Sequence, residues 1–246
     1  MSKIKVLIGA LALSAVAGAA LADGHAVRMG TEGAYPPYNF INDKGEIDGF
    51  ERDLGDKLCA IAELECTWVK NDWDSIIPNL VSGNYDVIIA GMSATAERDK
   101  VIDFTAPYIP PSPSAYMALA GGTPDLAGGV IAAQVNTIQS GYVAASGATL
   151  VEFATPDETI AAVKNGEADA VFADKDYLAP IVKESGGELA FTGEDVSIGG
   201  GTALGIRESD GPLKSKLTKA INQLKYNGEL NDLIRKWFPD NPPIWQ

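Results

Sequence analysis

DWDSIIPNLVSGNYDVIIAGMSATAERDKVIDFTAPY, residues 72–108, contains a helix, a strand and the loop after it, and the fold class can be read from their order. Trp73 to Ser82 is amphipathic at helical spacing, and Asp86 to Ala90 is a short β-branched run suited to a buried strand. The strand ends at Gly91, and the carboxyl edge of a strand is where open α/β sheets usually take ligands. The same alternation continues in both directions. Further strands are predicted over Ala26–Gly30, Cys66–Val69, Ala115–Ala120, Gly129–Ala133, Asp169–Ala173 and Thr202–Ile206. Helices are predicted over Phe50–Leu64, Ile138–Ser146, Pro156–Asn165, Tyr177–Glu184, Pro212–Tyr226 and Glu229–Trp237. Thr155-Pro156-Asp157-Glu158 is the clearest start signal, a capping box with proline in the first helical position. The class is α/β.

Two breaks interrupt the alternation: Pro107 to Pro113, where Pro110, Pro111 and Pro113 crowd together, and Gly199-Gly200-Gly201. If both are crossings between lobes, residues 23–112 and 202–246 form one lobe and 113–201 the other. As ordinary surface loops they would leave a single domain, and periodicity does not choose between the two.

Residues 1–22 place Lys3 and Lys5 ahead of an apolar run closing on Ala20-Leu21-Ala22, with no acidic residue. This is the pattern of a secretory signal peptide cut before Asp23, and no cysteine stands where a lipid anchor would need one. In a double-membraned bacterium the mature chain is then expected in the periplasm. The chain has 19 Lys and Arg against 33 Asp and Glu, and losing Lys3 and Lys5 takes its charge from −14 to −16. Nucleic acid and anionic membranes are poor partners for such a surface. Cys59 and Cys66, the only two cysteines, pair by default in an oxidising compartment, with two separate buried thiols as the alternative. The single histidine, His25, lies near the mature N-terminus, so neither a histidine-based triad nor a His/Cys zinc site can be assembled. No glycine-rich phosphate loop is present. No metal, cofactor or catalytic set is expected.

In Gly91-Met92-Ser93-Ala94-Thr95-Ala96-Glu97-Arg98 a hydroxyl and a guanidinium follow the strand end. Ser93 can donate one hydrogen bond there, and Arg98 offers a planar fork suited to a carboxylate. Ser93 or Thr95 could instead cap a helix, with Arg98 pairing at the surface with Asp99 or Asp103.

GTEGAYPPYNF (30–40), GEIDGFERDLGDKLC (45–59), residues 72–108, GEADAVFAD (166–174) and the closing segment Pro212–Phe238, taken together and in order, resemble the polar amino-acid-binding proteins of ABC importers. The likeness is greatest to the lysine/arginine/ornithine- and histidine-binding group and its opine-binding relatives, and it includes the two-cysteine staple. It implies a bilobal periplasmic-binding-protein fold of type II with a two-stranded hinge. It also implies a monomer that holds a free L-amino acid between closing lobes and delivers it to membrane permeases.

Carried over by residue, the resemblance assigns Arg98, Ser93 and Thr137 to the ligand α-carboxylate. Thr137 precedes a helix whose first amides favour an anion, though it could equally be a plain cap. Asp174 and the Gly91 carbonyl are assigned to the α-ammonium, although a helix cap explains Asp174 as well. Tyr35 and Trp73 become aromatic walls. Glu32 stands where the basic-amino-acid binders usually carry an aspartate, and Ala90 and Gly91 lack hydroxyls that the nearest relatives place there. Arg98 and Asp174 balance a zwitterionic backbone, so Glu32 is one negative charge in excess and implies a cationic side chain: arginine first, then ornithine or lysine. An opine or a neutral polar amino acid is the alternative. Periplasmic dehydratases of cyclic prephenate-like acids resemble the same fold, and on that reading Glu32 would be the general acid or base.

Overall fold

A computed structural model describes residues 26–240 and 242–246. The expected signal segment and His25 lie outside the described residues.

The chain opens with β1 (Val27–Thr31), followed by a small meander of β2 (Ala34–Tyr35), β3 (Asn39–Ile41) and β4 (Ile47–Asp48). Helix α1 (Phe50–Ile61) leads to β5 (Cys66–Lys70). A 3-10 turn over Trp73–Ser75 runs into α2 (Ile76–Val81), then β6 (Val87–Ile88) and β7 (Asp103–Phe104). Next come β8 (Ser114–Leu119), β9 (Val130–Gln134), α3 (Ile138–Ser146), β10 (Thr149–Phe153) and α4 (Pro156–Lys164). Then follow β11 (Ala170–Asp174), α5 (Lys175–Glu184), β12 (Leu189–Val196), β13 (Gly205–Ile206), α6 (Gly211–Tyr226) and α7 (Glu229–Trp237).

Two mixed five-stranded sheets result, ordered β5-β1-β6-β13-β7 and β10-β9-β11-β8-β12. The crossover strands run parallel, β1 with β5 and β6, and β9 with β10 and β11. The strands next to the inter-sheet connections run antiparallel to their neighbours. The chain leaves the first sheet after β7, enters the second at β8, and returns between β12 and β13. The two passages lie side by side, because Thr202 forms antiparallel bridges with both Ile109 and Ser93.

Each sheet is covered on both faces, as its parallel crossover strands require. On the first, Leu54, Leu58, Leu217, Ile221, Leu230 and Ile234 of α1, α6 and α7 pack one face, while Ile76, Leu80 and Tyr85 fill the other. On the second, Ile160, Val163, Tyr177 and Leu178 of α4 and α5 pack one face, and Val143 of α3 packs with Tyr116 and Phe172 on the other. At about 25 cal/mol per Å² this burial is the main favourable contribution to folding. Cys59 and Cys66 are bonded and tie the end of α1 to the start of β5. Asp86 accepts from both Arg28 and Arg207, joining β1 to the segment after β13.

The predicted helices are present with ends moved by three residues or fewer, and the Thr155 capping box is formed. Trp73–Ser82 is divided, its first turn being 3-10. Six strands were not foreseen: the meander β2–β4, the two-residue β7, and the edge strands β10 and β12.

Candidate ligand-binding site

Between the sheets lies a cavity walled mainly by polar and charged side chains. Glu32, Tyr35, Trp73, Gly91, Ser93, Arg98, Thr137 and Asp174 all line it, so the structure brings together the eight residues that the resemblance assigns to a ligand. Ala90, Gln134, Ile138 and Gln139 complete the wall.

Arg98 donates to the Ser93 carbonyl through Nη1 at 2.9 Å and to the Asn136 carbonyl through Nη2 at 3.1 Å. Its guanidinium carbon stands 5.3 Å from the centroid of Trp73, a cation–π contact. Neither Asp99 nor Asp103 pairs with it. The chain has five arginines, and the other four each meet a carboxylate. Burial pushes the Arg98 guanidinium down to about 10, with Asp174 acting in the opposite sense. It remains charged at neutral pH, and no carboxylate pairs with it among the described residues. The turn cap falls to Thr95, whose hydroxyl accepts from the Arg98 amide at 3.2 Å.

Asp174 occupies the position before α5 but makes no side-chain cap there. Its carboxylate instead accepts from the Tyr35 hydroxyl at 2.8 Å and from Gln139 Nε2 at 2.8 Å. Burial raises it to about 6, against the lowering effect of those donors and of Arg98. Thr137 is the N-cap of α3, accepting from the Ser140 amide at 3.0 Å. Its own hydroxyl donates to the Gln134 carbonyl at 2.7 Å. The start of α3 borders the cavity at Thr137, Ile138 and Gln139.

Glu32 is only 4% exposed, and Oε1 accepts from Gln134 Nε2 at 2.6 Å. The same Nε2 donates to the Ala154 carbonyl at 3.1 Å. Burial raises Glu32 to about 7; the Gln134 bond and Lys70 oppose that shift. Tyr35 stacks on Tyr177 with centroids 4.1 Å apart. Trp73 donates through Nε1 to the Val135 carbonyl at 3.0 Å. Gly91 adopts a φ of 63°, which favours glycine, and an added Cβ would lie 3.5 Å from the Tyr35 ring.

Gln134 and Gln139 were not singled out from the sequence, although both flank Thr137 in QVNTIQ (134–139). Their role as partners of Glu32 and Asp174 depends on contacts across 102 and 35 residues, which no local pattern encodes.

Two mixed α/β lobes with a guanidinium and two carboxylates on the wall of one cavity between them define a two-lobed binding protein for a small charged solute. Residues 27–240 match the bacterial extracellular solute-binding proteins, family 3, and the chain belongs to that family. It is 30% identical to the L-arginine-binding protein of Pseudomonas aeruginosa over 247 residues, covering 94% of this chain and 95% of that one. It is 32% identical to the octopine-binding periplasmic protein of Rhizobium meliloti over 282 residues, covering 92% of this chain and 95% of that one. Among solved structures, a periplasmic His/Glu/Gln/Arg/opine family-binding protein from Silicibacter pomeroyi in complex with lysine is 68% identical. It superposes with a TM-score of 0.87 and covers 89% of this chain and 100% of that one.

Proposed function

We propose that this chain is a periplasmic solute-binding protein of an ABC importer that captures a free basic L-amino acid without transforming it. The observation that carries this is the charge pattern of the cavity: Arg98 without a carboxylate partner, with Asp174 and Glu32 among the lining residues. Arg98 and the first amides of α3 suit an α-carboxylate, and Asp174 suits an α-ammonium. Glu32 then remains to meet a distal cation. An unpaired buried charge costs several kcal/mol, so a ligand carrying one negative and two positive groups fits best. The lysine complex of the 68% identical structure agrees with this.

Residues 23–112 and 202–246 would form one lobe and 113–201 the other, with the two passages as the hinge. Four hydrogen bonds between these units come from site residues: Glu32 with Gln134, Tyr35 with Asp174, Trp73 with Val135 and Arg98 with Asn136. Closure therefore acts through the same groups that hold the ligand, and differential affinity for the closed form drives it. The loaded monomer would pass its cargo to inner-membrane permeases once the signal segment has been removed. A second cargo, a neutral polar amino acid, is favoured below pH 7, where Glu32 takes up a proton.

The test is a thermal-shift panel of free amino acids. A cargo at 100 times its Kd adds about 2.7 kcal/mol, and for a chain of this size that raises Tm by about 5–10 °C. Arginine, ornithine or lysine is expected to shift Tm most. No shift with any basic amino acid would refute the assignment.

A further inference from the structure

Glu51, in the first turn of α1, is fully buried and takes no part in the ion pairs of the described residues. Three donors converge on its carboxylate. Oε1 accepts from the Gly91 amide at 2.6 Å and from the Tyr108 hydroxyl, and Oε2 accepts from Asn39 Nδ2 at 2.7 Å. Asn39 in turn accepts, through Oδ1, from the Gly33 amide at 2.6 Å. One side chain thus fixes the strand end at Gly91, the Glu32–Tyr35 turn through Asn39, and the segment leading into the first passage through Tyr108. A buried carboxylate held only by neutral donors is costly to maintain. A structural cap does not require it, and α1 has no side-chain cap at its N-terminus.

The Gly91 contact has a geometric consequence. In a planar trans peptide the carbonyl points opposite to the following N–H. Holding the Gly91 amide on Glu51 therefore turns the Ala90 carbonyl away from Glu51. Ala90 lines the cavity, and no donor among the described residues reaches its carbonyl. We infer that Glu51 is a positioning residue for ligand recognition, aiming the Ala90 carbonyl into the cavity as a further acceptor for the ligand α-ammonium, beside Asp174 and the Gly91 carbonyl. This deepens, and rests on, the amino-acid-binding reading above.

The experiment compares L-arginine with its des-amino analogue, 5-guanidinopentanoate, which keeps the carboxylate and the distal cation but lacks the α-ammonium. Calorimetric titration of the full mature protein gives Kd for both ligands in wild type and in Glu51→Gln, with ligand-free Tm measured alongside. A misaimed acceptor is expected to weaken L-arginine about ten-fold while moving the analogue by less than about two-fold, on the usual worth of a hydrogen bond to a charged group. Glu51→Asp keeps the charge but draws the carboxylate back from Gly91. It is expected to give the same asymmetric loss, and it serves as the test if Glu51→Gln does not fold. Equal weakening of both ligands would overturn the proposal and leave Glu51 a purely structural residue. Unchanged L-arginine affinity would overturn it too. Wild-type protein that binds no basic amino acid would refute the amino-acid reading itself, and the positioning role with it.

Discussion

Because Glu32 titrates near neutrality, the affinity of this protein for a basic amino acid should depend on pH within the physiological range. Burial raises Glu32 from 4.5 to about 7 and Asp174 from 3.8 to about 6. For the ligand-free fold the sign is that of raised carboxyls. Their contribution to stability is fully present below their unfolded values and is lost as pH rises through about 6 and about 7. A cationic ligand selects the ionised forms, so its binding strengthens over the same window. Between pH 6 and pH 8 the ionised fraction of Glu32 rises about ten-fold and that of Asp174 about two-fold, so the association constant for L-arginine should rise about twenty-fold. Titration calorimetry at several pH values measures this. Repeating it at pH 7 in buffers of different ionisation enthalpy should show release of about half a proton per ligand bound. Glu32→Gln removes the larger contribution, leaving a weaker complex whose affinity changes only about two-fold between pH 6 and pH 8. An equally steep profile in Glu32→Gln, or a flat one in wild type, would refute the assignment of Glu32 to the ligand's distal charge.

Arg98→Ala should weaken every amino acid, basic or neutral, by about 2–5 kcal/mol, the usual cost of truncating one member of a buried charge pair. Calorimetry with arginine and glutamine checks this, and a loss confined to basic ligands would contradict the carboxylate role. Replacing Cys59 and Cys66 with serine opens a loop with a sequence separation of 7. Loop-closure entropy puts the cost near 2.5 kcal/mol, so thermal unfolding should begin about 5–10 °C lower. The pair lies at the far end of α1 from Glu51, so arginine affinity measured well below Tm should hardly change.

Much of the fold was legible because its helices carry periodic apolar faces that bury against the sheets. Ile138–Ser146 and Glu229–Trp237 begin and end where the periodicity does. The strands that escaped notice are those with weak local signals. β10 and β12 are the two edges of their sheet, with largely half-buried or exposed side chains, and the meander strands have two or three residues each. The candidate site was legible for a different reason. Asp174 ends β11, while Ser93 and Arg98 lie in the loop and the 3-10 turn that follow β6, and a family resemblance could be carried across to each residue by residue. Glu51 could not be found that way. In sequence it is an ordinary acidic residue in a first helical turn, and its complete burial follows from segments far away in the chain, at Gly91 and Tyr108.

Thr202 bridges to Ile109 in one passage and to Ser93 beside the guanidinium, so on the hinge and site proposed above a bound ligand would lie close to the pivot of rotation between the two sheets. Displacement in a rigid rotation grows with distance from the axis. Atoms around Ser93 therefore travel little while the outer rims of the lobes sweep through a much longer arc. On that proposal the protein would act as a lever gripped near its fulcrum: sub-ångström differences in how a solute seats at the pivot would become large differences in the separation of the rims.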